Sequence, residues 1–542
     1  MRNRTGWPGR RAGRVALVAA MTCAAVTGAM TGVASAGGPG PEHGPGHGPG
    51  GSGRVVSTDR GAVRGTVATG MREFLGIPYA AAPVGNLRWR PPQPHARWSG
   101  VRDATRFAPH CAQPATPFGA ASTSEDCLFL NVFAPAGRTA HRSGHTPVMV
   151  WIHGGALVTG ESDDYDPSRL VAQGTVVVTI NYRLGALGFL AHPALSAETA
   201  DGASGDYGLM DQQAALRWVQ RNIDRFGGDR HNVTIFGESA GGLSVHSQLA
   251  SPLAAGLFDK AIVESGAYNL AQDSLATAQS QGSDFATRAG CAAQTAACLR
   301  ALPVSTILAN EGTGYTPDVD GRVLPRTVLD ALSTGQFNRV PVVEGSNHDE
   351  WRLFVAQTEL TTGAPLTAAG YPAAIAATLG VPLPVATAIA GQYPLSAFPS
   401  PSLALSTLGT DAIFACSSRA SAQLLSRWVP TFQYEFADEN APMLFLPPVS
   451  FPTGAYHASE LQYLFTLPAG VPNPGLDADQ RRLSRAMVAS WTHFARTGTP
   501  SVRGDVWPRF GTSDRFTALR PPTPAPGTGF AGDHQCAFWG AP

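Results

Sequence analysis

Val233-Thr-Ile-Phe-Gly-Glu-Ser-Ala-Gly-Gly242 decides how this chain is read. Val233 to Phe236 is a short, strongly apolar strand signal. Gly237-Glu238-Ser239-Ala240-Gly241 follows at once, and Gly242-Leu-Ser-Val-His-Ser-Gln-Leu249 continues with helical character. A Gly-x-Ser-x-Gly pattern alone is weak. With 61 Gly in 542 residues, composition yields about half a match by chance. Its position between a strand and a helix is what discriminates. Such a turn is sharp, and glycines flank the serine because neighbouring chains pass close. The Ser239 hydroxyl is then raised above the sheet, with the helix N-terminus aimed at the reacting atoms.

Further strand signals surround this one. They are Pro147-Val-Met-Val-Trp-Ile152, Thr175-Val-Val-Val-Thr-Ile180, Ala261-Ile-Val263, Val340-Pro-Val-Val343 and Phe432-Gln-Tyr-Glu-Phe436. Most are continuous β-branched or apolar runs without polar alternation, which marks strands covered on both faces. Helical patterns lie between them. The clearest spans Gly208 to Phe226, with Leu209, Ala214, Leu216, Val219, Ile223 and Phe226 as its apolar residues. Gly227-Gly228 is its stop signal. Strands alternating with helices predict an α/β fold, with a mostly parallel sheet flanked by helices. Helical insertions are expected at about 270–335 and 350–430.

Composition narrows the function. Lys+Arg and Asp+Glu are both 39, so the basic footprint of a nucleic-acid binder is missing. Hydrophobic residues make up 43% of the chain, enough for a large core. Residues 1–36 read as a signal peptide: Arg2, Arg4, Arg10, Arg11 and Arg14 precede an apolar run that ends in Ala34-Ser35-Ala36. Thr and Gly interrupt the run and no charged flank follows it, which favours cleavage over a membrane anchor. Its removal leaves 34 basic against 39 acidic groups. No other stretch is long and apolar enough to span a bilayer. Residues 37–53, GGPGPEHGPGHGPGGSG, form a Gly/Pro/His-rich linker. Residues 54–542 show no second linker and no repeat, so they read as one domain. Apart from Cys23, the cysteines are Cys111, Cys127, Cys291, Cys298, Cys416 and Cys536. An even number in an exported chain points to disulfides, and no Cys-x-x-Cys pair or Cys/His cluster favours metal.

A serine nucleophile needs a base, a group that orients the base, and donors for the oxyanion. Trp151-Ile-His-Gly-Gly-Ala156 sits just after a strand and offers the donors. The backbone N–H groups of Gly155, Ala156 and Ala240 are the candidate oxyanion hole. His153 reads as a packed ring at the base of that loop. For the base, His246, His348, His457, His493 and His534 all follow Ser239. For the acid, Asp349 and Glu350 are neighbours that local sequence does not separate.

These motifs together resemble the type-B carboxylesterase family, which includes cholinesterases and bacterial para-nitrobenzyl esterases. Phe74-Leu-Gly-Ile-Pro-Tyr-Ala80, Glu125-Asp-Cys-Leu-Phe-Leu-Asn-Val132, Asn181-Tyr-Arg-Leu-Gly185, Gly237-Glu-Ser-Ala-Gly-Gly242 and Gln535-Cys-Ala-Phe-Trp539 match in the right order. The resemblance spans nearly all of residues 54–542 and implies an α/β-hydrolase fold. It implies catalytic Ser239, Glu350 and His457, in that chain order. It further implies disulfides Cys111–Cys127, Cys291–Cys298 and Cys416–Cys536, and internal ion pairs Arg88–Glu125 and Arg183–Asp211. Glu238 and Ser265 are candidate supports for the site. The implied activity is hydrolysis of small-molecule carboxylic esters through an acyl-enzyme, without metal or organic cofactor, by a secreted protein. The alternative is a non-catalytic adhesion or recognition domain on the same fold. A choline-ester specialist is disfavoured, because residues 112–126 lack the tryptophan of that site. N-terminal sequencing of the exported protein should start at Gly37; a start at Met1 would overturn the signal-peptide reading.

Overall fold

The computed structural model describes residues 54–68, 70–136, 146–312, 314–503 and 507–540. The signal peptide 1–36 and the linker 37–53 expected from the sequence lie outside the described residues. In chain order the strands are β1 (Val55–Ser57), β2 (Ala62–Arg64), β3 (Thr66–Ala68), β4 (Met71–Pro78), β5 (Val101–Asp103), β6 (Phe129–Pro135), β7 (Thr146–Ile152) and β8 (Val176–Ile180). They continue with β9 (Gly228–Glu238), β10 (Lys260–Glu264), β11 (Asp273–Ser274), β12 (Asp318–Val319), β13 (Val342–Asn347), β14 (Thr431–Phe436), β15 (Phe516–Leu519) and β16 (Ala525–Gly527). Eleven of them form the main sheet, in the order β16-β15-β14-β13-β10-β9-β7-β8-β6-β4-β3. From β8 through β15 every neighbouring pair is parallel. The two edges are antiparallel. Large mixed sheet and flanking helices together make the α/β-hydrolase architecture.

The β-branched runs form central strands because both faces of the sheet are dry. Along β7, Val148, Val150 and Ile152 join one buried cluster, while Met149 and Trp151 join the other. The same alternation sends Val233 and Ile235 to the first cluster and Phe236 to the second. On the first face the sheet packs against helices Tyr207–Asn222 and Ala240–Ala250, through Leu209, Leu216, Val219, Leu243 and Leu249. On the second it packs against helix Ala478–Thr497, through Leu483, Met487, Trp491 and Phe494. That helix starts in a capping box, with the Asp477 side chain accepting from the Gln480 N–H at 2.8 Å. It stops at Gly498 in the left-handed region.

Some boundaries differ from expectation. The α-helix expected over Gly208–Phe226 ends at Asn222, and Ile223–Phe226 is a 3₁₀ turn closed by Gly227 at φ 96°. The strand expected at 340–343 runs from Val342 to Asn347. Its pairing with β14 continues through Gly345↔Tyr434 to Asn347↔Phe436. Gly345 permits this, since a Cβ there would sit 2.1 Å from the Tyr434 ring. Helices occupy both expected insertions, Leu275–Thr334 and Arg352–Ser426, the first with the small β11–β12 pair beside it.

The disulfides join Cys111–Cys127, Cys291–Cys298 and Cys416–Cys536, as the resemblance implied. Arg88 grips Glu125 with two hydrogen bonds, 2.7 and 2.5 Å, and also donates to the Leu302 carbonyl at 2.7 Å. Arg183 grips Asp211 at 2.7 and 2.8 Å in a fully buried setting. The first pair joins two loops and the second joins the loop after β8 to helix Tyr207–Asn222; their value is positional, because buried pairs add little net stability. The bridge with the longest span crosses 120 residues. Replacing Cys416 and Cys536 together by Ser is expected to cost about 4–5 kcal/mol by chain entropy. Urea unfolding measures this; an unchanged midpoint would contradict it.

Candidate active site

The site is built at the C-terminal edge of the parallel strands. β9 ends at Glu238, and Ser239 turns the chain at φ 56°, ψ −120°. That backbone is strained for a residue with a side chain. It is held by the Ser239 N–H donating to the Glu264 carbonyl at 2.9 Å and by helix Ala240–Ala250 starting directly after it. The flanking glycines are steric requirements. A Cβ on Gly241 would lie 1.9 Å from the Ile152 carbonyl oxygen, and one on Gly237 would lie 2.6 Å from it.

The loop after β7 lies against this turn. A Cβ on Gly154 would stand 3.2 Å from the Ser239 Cβ. Gly155, Ala156 and Leu157 have φ values of 97°, 55° and 61°. Consecutive left-handed residues turn successive amides to one side, the geometry of an anion-binding concavity. Among the described residues' turn and loop hydrogen bonds, none uses the N–H of Gly155, Ala156 or Ala240. His153 is a packing residue: its ring stacks on Tyr182 at 4.5 Å, and burial pushes its pKa down to about 4.

The acid and the histidine arrive from two further loops. Glu350 is fully buried. Its Oε1 accepts from Ser265 Oγ at 2.5 Å and from the Asn347 N–H at 2.7 Å. Its Oε2 lies 2.6 Å from His457 Nδ1. Asp349 faces elsewhere: it pairs with Arg352 at 2.8 Å and accepts from the Ala455 N–H at 2.9 Å. The neighbours that sequence left unresolved are thus separated by direction. The other histidines are committed to other partners. His246 Nε2 meets Glu344 at 2.9 Å, His348 meets Asp349 at 3.1 Å, and His493 meets the Thr499 carbonyl at 2.9 Å. His534 is clamped between Asp411 and Glu435, both at 2.7 Å. Burial opposes its charge, but the two carboxylates outweigh that and raise its pKa to about 10.

His457 Nε2 lies 3.2 Å from Glu238 Oε1, the residue before Ser239, without hydrogen-bond geometry. No hydrogen bond joins Ser239 to His457 in this structure; catalytic contacts of this kind often tighten only with substrate bound. The rings of Phe354 and Phe414 stand 5.2 and 4.9 Å from the imidazole. Ser239 and His457 are each 5% exposed.

Beneath them is a layer of buried carboxyls that sequence reasoning found only in part. Burial pushes Glu238 well above the usual carboxylate range, and Glu350 and Glu264 reinforce it. Burial raises Glu264 to about 8, against the opposing bond from Trp491 Nε1 at 2.9 Å. Glu460 is likewise pushed well up, by burial first and by Glu238, Glu264 and Glu350 next. Ser265 was anticipated. Glu264, Glu460, Asn347 and Trp491 were not, and no local pattern marks them. Among the described residues, His110, Glu161 and Asp163 bring metal-type ligand atoms within 4.8 Å of one another. His110 Nδ1 and Glu161 Oε2 already satisfy each other at 2.8 Å.

The model of the carboxylesterase family matches residues 52–539. This chain belongs to the carboxylesterase family. Like its relatives, this carboxylesterase family member is a carboxylic ester hydrolase. It is 36% identical to fumonisin B1 esterase of Sphingopyxis macrogoltabida, over 84% of each chain. It is 36% identical to para-nitrobenzyl esterase of Bacillus subtilis strain 168, over 86% of this chain and 94% of that one. It is 35% identical to cocaine esterase of Homo sapiens, over 87% of each. A solved PNB esterase superposes with a TM-score of 0.73 at 33% identity, over 90% of this carboxylesterase and all of that chain.

The neutral carboxyls predict a pH dependence of stability. Glu264 ionises near 4.5 when unfolded and only near 8 in the fold. Between those values the fold holds the extra proton. Its contribution is therefore full below 4.5, declines by at most about 1.4 kcal/mol per pH unit, and is gone above about 8. Glu264→Gln should lose less stability than wild type in urea unfolding between about pH 6 and pH 9; equal losses would refute this.

Proposed function

We propose that Ser239, His457 and Glu350 act as nucleophile, general base and orienting acid in ester hydrolysis. The observation that carries the reading is the 2.6 Å contact between Glu350 Oε2 and His457 Nδ1, beside the strained turn of Ser239. Glu350 leaves one oxygen for the imidazole, because Ser265 and Asn347 saturate the other. That fixes the tautomer with Nε2 open toward the serine. His457 takes the Ser239 proton as Oγ attacks the ester carbonyl. The N–H groups of Gly155, Ala156 and Ala240 receive the oxyanion, each worth about 3 kcal/mol of transition-state stabilisation. His457 then protonates the leaving alcohol. Water enters, gives a proton to His457 and attacks the acyl carbonyl; the bond to Ser239 Oγ breaks, His457 returns that proton to Oγ, and the carboxylic acid leaves.

Neutral Glu238 supports this arrangement. An ionised carboxylate 3.2 Å from Nε2 would favour a proton on that nitrogen and so remove the base; a neutral acid without hydrogen-bond geometry to Nε2 does not. The adhesive alternative gives the strained Ser239 backbone no role.

We further read the chain as exported. Three disulfides fit an oxidising compartment. Among the described residues no single helix is long and apolar enough to cross a membrane. Relatives named as fumonisin B1, para-nitrobenzyl and cocaine esterases point to small-molecule carboxylic esters as the substrate class.

Ser239→Ala should fold with an unchanged melting transition and lose kcat by about 10⁴-fold or more on a soluble nitrophenyl ester. A phosphonate label should attach to Ser239 in wild type only. Near-normal turnover in the variant, or label at another residue, would remove the mechanism.

A further inference from the structure

Residues 360–410 contain no Asp, Glu, Lys, Arg or His, although 14% of the whole chain is Asp, Glu, Lys or Arg. Between Thr361 and Ser400 most of the stretch is exposed or half-buried. A well-behaved soluble surface carries about 25–35% charged residues, yet Ala, Pro, Leu, Thr, Gly and Ser make up most of this stretch. Its helix Leu383–Ala390 has the sequence LPVATAIA and buries Ala386 alone. Leu383 is 54% exposed and Val385 45%. Leu360, at 38%, and the exposed Ala364, Pro365, Ala368 and Ala369 extend the same surface. A helix that is apolar all round belongs inside a protein or against an apolar medium. Here it lies outside.

The segments that flank the stretch on either side contact the catalytic histidine. Helix Arg352–Thr362, two residues after Glu350, leads into it and carries Phe354 against His457 at 5.2 Å. The stretch closes with helix Pro401–Gly409 and leads into the turn Thr410–Ala415, whose Phe414 stands 4.9 Å from His457. Thr410 Oγ1 also accepts from the Trp351 N–H at 3.0 Å. The lobe is thus joined at both ends to segments in contact with His457.

We propose that the charge-free lobe of residues 360–410 docks the enzyme on the uncharged surface of a water-insoluble ester aggregate, whose molecules are its substrates. The proposal rests on the ester-hydrolysis reading of Ser239 and His457. Charge decides the occupant. Anionic membranes are bound through Lys and Arg, and the lobe has none. Protein partners are set in register by polar and charged rims, and the lobe has none of the charges. An ester droplet asks for neither. The lobe also lies on a surface rather than through one. Segments Tyr371–Leu379 and Leu383–Ala397 are together long and apolar enough for a span, but the chain bends by 113° between them.

The test uses the full chain and a triacylglycerol emulsion. Wild type should co-float with the droplets, and its rate on a short-chain triacylglycerol should jump as the substrate passes its solubility limit. Binding should hold or strengthen from about 0.05 to 1 M salt, since no charge pair is screened. Leu383→Glu/Val385→Glu should bind droplets at least tenfold more weakly. It should melt at the wild-type temperature and hydrolyse soluble nitrophenyl acetate within twofold of wild type. The proposal falls if wild type stays in the aqueous phase, or if the variant binds as tightly. It also falls if anionic vesicles bind better than droplets, or if gel filtration shows a wild-type dimer that the variant splits. Failure of wild type on the soluble ester would instead count against the catalytic reading, because droplet binding is scored without turnover.

Discussion

The close crossing of β7, β9 and β10 around Ser239 is the constraint on which the rest of the molecule depends. The Ile152 carbonyl passes where a Cβ of Gly241 would be, 1.9 Å away. Gly266 packs equally close on Gly242, where a Cβ would lie 2.3 Å from its carbonyl carbon. Only glycine fits at those points, and only with them in place does the turn at Ser239 hold its positive φ. The same register aligns the strand ends. Ile152 pairs with Gly237, Glu238 with Glu264, and Glu264 with Gly345. One shared edge therefore presents the Gly155 loop, Ser239, Ser265 and the start of the acid loop. Pairing of Asn347 with Phe436 brings in the last strand before the histidine loop.

Electrostatics follows from that packing. Glu238, Glu264, Glu350 and Glu460 are all buried. Several ionised carboxylates in so small a dry volume would repel one another, and each would lose its hydration. Glu350 is the exception with a full set of partners: two donors on one oxygen and an imidazole on the other. The other three are driven toward the neutral acid. The neutral acids supply shape and hydrogen bonds around the Glu350–His457 contact.

The two helical insertions serve this edge differently. Residues 275–334 carry ordinary surface charge and the Cys291–Cys298 bridge, and their Asp320 caps a turn through three backbone N–H groups. The segment 352–415 starts and ends on aromatic contacts with His457. The Cys416–Cys536 bridge and the clamp of His534 between Asp411 and Glu435 anchor its far end to the C-terminal segment. Within it, residues 360–410 offer a charge-free surface on a segment joined at both ends to contacts with His457.

Sequence alone determined the central strands, the strand–turn–helix at Ser239 and the HGGA loop, because these are set by local sterics and two-sided burial. It did not mark β3, β4 and β6: β3 is only three residues long, Arg72 and Glu73 interrupt the apolar pattern of β4, and Asn131 interrupts that of β6. With the family resemblance added, it also reached Glu350 and His457, 107 residues apart in the chain. Only the tertiary structure decided that Asp349 turns to Arg352 while Glu350 turns inward. Only it gathered Glu264, Glu460 and Trp491 under the site, and only it left helix Leu383–Ala390 on the outside, where its composition reads as core. The reason is the same in each case. Neighbouring residues fix their own backbone angles and hydrophobicity, but which side chains meet, and which face meets water, depends on the register of strands and helices far apart in the chain.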